Sequence, residues 1–168
     1  TSPLVSNLAE GVIRLLFFLI YLLAIGRLPD IRRVFYYHGA EHKTINAYEA
    51  SVPLTPQDVK PFSTAHTRCG TSFLLIVLVL FILFSSLLGR PPLVWRILSR
   101  LVLVPIVAVL AYEFIKFTAG HYDHVLVKLL IAPGLWLQRL TTQEPDNGML
   151  EVSIAALRRV LAEDGVVG

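Results

Sequence analysis

"SFLLIVLVLFILFSSLLG", Ser72 to Gly89, carries no charged side chain. As a helix this stretch covers about 27 Å, close to the hydrocarbon thickness of a bilayer. A soluble protein needs a large surrounding core to bury such a helix. A chain of 168 residues with two further apolar runs has too little sequence to build one. The composition agrees, with 55% apolar and only 16% charged residues, against about 25% charged in soluble domains. The reading is an all-α, helical integral membrane protein: one membrane domain over residues 1–168 with about three transmembrane helices, a long loop containing a helix, and a C-terminal amphipathic helix.

A second span is expected at about Leu101 to Ala119, "LVLVPIVAVLAYEFIKFTA", where Pro105 is a candidate kink. Glu113 and Lys116 lie near its end, three residues apart on one face. A charge at membrane depth is costly, so Glu113 either faces protein or water, or pairs with Lys116 at the headgroups. The first span, about Leu8 to Gly26, is weaker. Glu10 and Arg14 can pair at i,i+4, and its uncharged core runs only from Leu15 to Ile25. "HVLVKLLIAPGLWLQRL", His124 to Leu140, is interrupted by Lys128 and expected to break at Ala132-Pro133-Gly134. It reads as an interfacial or re-entrant segment with Trp136 among the headgroups. "TTQEPDNG" then forms a polar turn with Asp146 or Asn147 as N-cap. The last helix, about Gly148 to Ala162, places Leu150, Ile154, Leu157 and Leu161 on one stripe, with Arg158 and Arg159 near its end.

Basic residues set the orientation. The loop over residues 27–71 holds Arg27, Arg32, Arg33, Lys43, Lys60 and Arg68. The segment over residues 120–168, with the end of the preceding span, adds Lys116, Lys128, Arg139, Arg158 and Arg159. The hairpin between the spans at 72–89 and 101–119 has Arg90, Arg96 and Arg100. The long loop and C-terminus are therefore expected in the cytoplasm. The single cysteine, Cys69, permits no intrachain disulfide and implies no oxidising compartment. The net charge of +3 includes no basic run interleaved with aromatics, which leaves nucleic-acid binding unsupported. The first apolar run lacks the cleavage site of a signal peptide.

The chemistry concentrates in "VFYYHGAEHKTINAYEA", Val34 to Ala50. On a helix with His38 at zero, His42 falls at about +40°, Glu49 at about +20° and Glu41 at about −60°. Lys43 points nearly opposite. One face thus presents two imidazoles and two carboxylates, and His at i and i+4 can reach one ion. "HGAEH" also reads H-x-x-E-H, the inverse of the zincin motif, in which the histidines bind zinc and Glu activates water. Surface or cap histidines would give the same letters. "AHTRCGTSF" adds His66 and Cys69, both suited to zinc, although Cys69 also suits a helix cap. Arg68 is a candidate for an anion such as a lipid phosphate. Pro53, Pro56 and Pro61 stiffen the connection between the clusters. "GHYDHV" offers His121, Asp123 and His124 either as groups behind the ligands or as ordinary interface residues. All five histidines fall on the cytosolic side of this topology.

"YHGAEHKTINAYE", "RCGTSFLL", "LSRLVLVPIVAVLAYE" and "APGLWLQRLTTQEPDNGMLEVSIAAL" resemble, in this order, the YqhQ-like bacterial family. The resemblance covers about Leu8 to Leu157. It implies a bacterial cytoplasmic (inner) membrane protein of unknown function, predicted to be a metal-dependent enzyme. The family pattern falls on His38, Gly39, Glu41, His42, Lys43, Glu49, His66, Arg68, Cys69, Gly70 and Glu113. The chain departs from it with Ala47, where Cys is frequent, and Lys116, where Arg is common. Related chains open with a Gly-rich segment resembling G-G-Q-A-V-x-E-G-V, so an N-terminal segment is expected to be missing before Thr1.

The expectation for function is a divalent metal, zinc, held by His38, His42 and His66. Glu113, Glu49 or Cys69 would be the fourth ligand, His121 and His124 additional groups, and Glu41 the general base of a hydrolase. The alternative is a non-enzymatic membrane scaffold with a structural ion that binds lipid, a protein partner or a second copy. Transport finds little support from three spans and one intramembrane carboxylate.

Overall fold

The computed structural model describes residues 3–89 and 91–165. Arg90, counted above among the hairpin charges, lies outside them. Seven helices and no strand occur among the described residues: α1 (Pro3–Ile25), α2 (Pro29–Glu49), α3 (Pro56–Val59), α4 (Gly70–Leu87), α5 (Leu93–Gly120), α6 (Val125–Thr141) and α7 (Asn147–Glu163). The chain divides into two compact units, residues 1–21 with 67–134, and residues 22–66 with 135–168.

The first unit contains the apolar helices. Val5–Ile25, Gly70–Leu87 and Leu93–Gly120 are each long and apolar enough to cross a membrane. Their side chains are mostly bare, Phe17 at 68% and Leu101 at 70% exposed. Apolar surface on this scale is stable against lipid, not water. α4 packs along α5. A Cβ added at Gly11 would fall 2.2 Å from the Ile82 side chain, so the glycine lets α1 lie against α4. Glu10 and Arg14 form the expected ion pair.

α4 ends at Leu87 with Leu88 as its C-cap, and Gly89 takes φ +69, a left-handed conformation that glycine adopts without a Cβ clash. Pro91 and Pro92 precede α5, whose 28 residues start eight positions before the expected Leu101. Arg96 and Arg100, expected in a hairpin, therefore lie on the first turns of α5. The expected break in α6 is also corrected. The helix runs through Pro133, although an interior proline removes one backbone hydrogen bond and crowds the carbonyl four residues back. Gly134 serves a close approach instead. A Cβ there would sit 2.9 Å from the Ser72 hydroxyl oxygen.

The second unit is a small helical core. Ala40 and Ala47 of α2, Val59 of α3, and Leu150 and Ile154 of α7 pack together, flanked by Leu54, Phe62 and Met149. Asp146 is the α7 N-cap, its carboxylate accepting from the Met149 N–H at 2.8 Å. Leu161 on the expected stripe is buried, and Leu157 is half-buried. The segment after α2 is folded: Val52 N–H returns to Ala47 O at 3.0 Å, and Pro56 starts α3 with Thr55 as its cap.

Candidate functional site

α2 carries His38, Gly39, Glu41, His42, Lys43 and Glu49, as the periodicity predicts. His38 and His42 lie a turn apart and meet edge to face, with ring centroids 4.3 Å apart. One ring nitrogen of each lies within 4.8 Å of a ring nitrogen of the other. His38 Nδ1 sits 2.8 Å from Thr141 O, and His42 Nδ1 sits 2.6 Å from Thr64 O. A carbonyl oxygen only accepts, so each Nδ1 carries the hydrogen. In the neutral ring, each Nε2 then carries the lone pair that a metal takes. Bonds of this kind from the far nitrogen fix ring orientation and raise ligand basicity.

His66 lies beside them, its ring centroid 5.9 Å from that of His42. Its Nε2 is 3.3 Å from both carboxylate oxygens of Glu49. A carboxylate accepts, so this nitrogen donates, and His66 reads as half of a His–Glu pair. The His66 backbone is clamped by Gln138, which is 0% exposed. His66 N–H donates to Gln138 Oε1, and Gln138 Nε2 donates to His66 O, each at 2.8 Å. Glu41 is exposed and makes no hydrogen bond or ion pair among the described residues.

The remaining sequence candidates belong to the first unit. Cys69 is buried at the α4 N-cap, where Sγ accepts from Thr71 N–H at 3.4 Å. Arg68 precedes it and is exposed. Glu113 is exposed on α5. His121 caps α5, its Nδ1–H donating to Phe117 O at 2.9 Å, and His124 lies 6.4 Å from it between centroids.

Three contributors escaped the periodicity argument. Lys43, expected to point away from the site, is 4% exposed. Its ammonium donates to Lys60 O and Phe62 O, both at 2.6 Å, and pairs with Glu144 at 2.8 Å. Asn46 donates to Ser63 O and Ala65 O at 2.9 and 3.0 Å. The "TTQEPDNG" turn does more than connect helices. It supplies Thr141 O to His38, Glu144 to Lys43, and the Gln143 N–H that bonds Phe35 O at 2.9 Å. Gly39 makes this approach possible, since a Cβ there would fall 2.1 Å from Gln143 O. The available signal was a glycine inside a helical pattern, which usually has a packing reason.

No solved structure matches the chain. It is 41% identical over 166 residues to the uncharacterized protein YqhQ of Bacillus subtilis (strain 168). That alignment takes in 96% of this chain and 52% of the relative, so the chain spans about half the relative's length. Residues 1–163 match the family described as protein of unknown function, DUF1385. The four sequence motifs and these two matches agree, and the chain belongs to the DUF1385 family.

Proposed function

We propose that this protein is a metal-binding membrane protein whose ion, a divalent metal such as zinc, is held by Nε2 of His38 and His42. One observation carries the reading: two imidazoles at i,i+4, each oriented by an Nδ1–H bond to a backbone carbonyl. Two imidazoles on a tetrahedral zinc place their nitrogens about 3.3 Å apart. The rings, with centroids 4.3 Å apart, are close enough to share one ion after small adjustments. The Glu49–His66 pair stands beside these rings as a proton acceptor or a reserve ligand.

The ion has two possible uses. In a hydrolytic reaction Glu41 is the general base and meets substrate from the solvent side of α2, where its carboxylate is exposed. In the structural alternative the ion completes a fastening. Its support is that Lys43, Asn46 and His42 already tie residues 60–65 to α2. Zinc titration of chelator-stripped protein tests the reading. Wild type and Glu41→Gln should bind zinc alike, while His42→Ala should bind at least about tenfold more weakly. Equal binding by His42→Ala refutes the site, and loss in Glu41→Gln makes Glu41 a ligand instead of the base.

The same reading places the protein in a bacterial cytoplasmic membrane as a multi-pass protein. The basic residues of 27–71 and of the C-terminal segment support a cytoplasmic location for both.

A further inference from the structure

A second site stands apart from the histidines, inside the first unit. A cavity of about 590 Å³ is lined by Arg68, Gly70 and Phe73 at the start of α4, and by Tyr112, Lys116 and Gly120 towards the end of α5. α4 and α5 pack together, so the beginning of one and the end of the other meet. Two cationic side chains, Arg68 and Lys116, line this cavity, and no carboxylate is among its described lining residues. Added Cβ atoms at Gly70 and Gly120 would meet nothing within 4 Å, so the backbone there is open to a ligand. The amino end of α4 brings a partial positive charge and the carboxyl end of α5 a partial negative one, so the two side-chain cations set the sign of the cavity. Phe73 and Ile115 give the same cavity an apolar wall.

We infer that this cavity binds the phosphate of an anionic phospholipid, with Arg68 and Lys116 taking the phosphate oxygens. A guanidinium matches phosphate with two parallel N–H donors, and an ammonium adds a point charge. The lipid source follows from position. The cavity lies where two helices long enough to span a bilayer end, and the α5 surface beside it is bare, Tyr112 and Phe117 both at 59% exposure. A phosphate there has its acyl chains alongside apolar helix, and tyrosine is favoured at that level. Free phosphate would use the cations and leave the Phe73–Ile115 wall without a function.

The test is native mass spectrometry of the full chain in detergent, titrated with dioleoylphosphatidylglycerol, dioleoylphosphatidylcholine or inorganic phosphate. Phosphatidylglycerol should bind at least about fivefold more tightly than phosphatidylcholine, and millimolar phosphate should not displace it. Arg68→Gln with Lys116→Gln should weaken phosphatidylglycerol roughly tenfold and remove the preference. The charge-retaining pair Arg68→Lys with Lys116→Arg should preserve it, as should Arg100→Gln on the first turns of α5. If the double glutamine variant does not fold, each single variant should lose about threefold. Unchanged binding in the glutamine variants, or an equal loss in Arg100→Gln, overturns the site. Displacement by inorganic phosphate overturns the lipid assignment.

Discussion

Gly39→Ala is the most informative packing change, because its opposing contributions can be set against each other. In a helix interior alanine gains about 1 kcal/mol over glycine. At this position the new Cβ would meet Gln143 O at 2.1 Å and Gln143 C at 3.2 Å. Both are backbone atoms, so no side chain can swing away. The turn after α6 must shift by roughly 1 Å, which at ordinary overpacking costs amounts to about 1–3 kcal/mol. The shift also breaks the bond from Gln143 N–H to Phe35 O, now 2.9 Å, for about 1 kcal/mol. The net loss is then about 1–3 kcal/mol. Roughly 2–4 °C per kcal/mol applies to a chain of this size. Thermal melting of the full chain in mild detergent, followed by circular dichroism, should show a fall of about 4–8 °C for a 2 kcal/mol loss. Gly148→Ala, in the same unit, is the control. Its Cβ would meet only Asp146 Oδ1 at 3.4 Å, so it should melt at or slightly above the wild-type temperature. A Gly39→Ala protein as stable as wild type, or a Gly148→Ala protein that falls as far, refutes the reasoning.

Other substitutions probe the same unit. Lys43→Met removes the donor to two loop carbonyls and leaves Glu144 without its ion pair, which should cost about 2–4 kcal/mol and expose residues 50–66 to limited proteolysis. Protection equal to wild type would show that the loop is held some other way. Gln138→Ala leaves both His66 backbone groups without their partner, for about 2–3 kcal/mol in the same melt. Gln138→Glu should also destabilise, because it exchanges a donor for a buried acceptor facing His66 O. Asp146→Ala loses the α7 cap and should cost about 1 kcal/mol, with no effect on zinc titration. Zinc affinity itself should fall on acidification, because protons compete for the Nε2 lone pairs.

Local pattern carried the sequence reading wherever one element decides its own form. Uninterrupted apolar length found α4, and i,i+4 spacing placed His38 and His42 on one face of α2. The Asp146 cap and the Leu150, Ile154 and Leu161 stripe were legible for the same reason. The misses arise where a distant segment decides. Lys43 looked solvent-facing because α2 alone does not show the loop over residues 60–62 that lies over it. Gln138 is an ordinary residue of α6 until His66, 72 positions earlier, lies beside it. The Pro-Gly pair in α6 reads as a break in sequence, which does not reveal that Gly134 admits Ser72. Helical phase also gave His66 no place. Its pairing with Glu49 depends on the path of the loop, which prolines stiffen but do not specify.

The central claim, a metal held by His38 and His42, is tested most directly by elemental analysis of the full chain purified without added metal or chelator. The account predicts about one equivalent of zinc per chain, lost in His38→Ala and in His42→Ala and retained in Glu41→Gln. Well under one equivalent in wild type, or a content unchanged by both histidine substitutions, contradicts it.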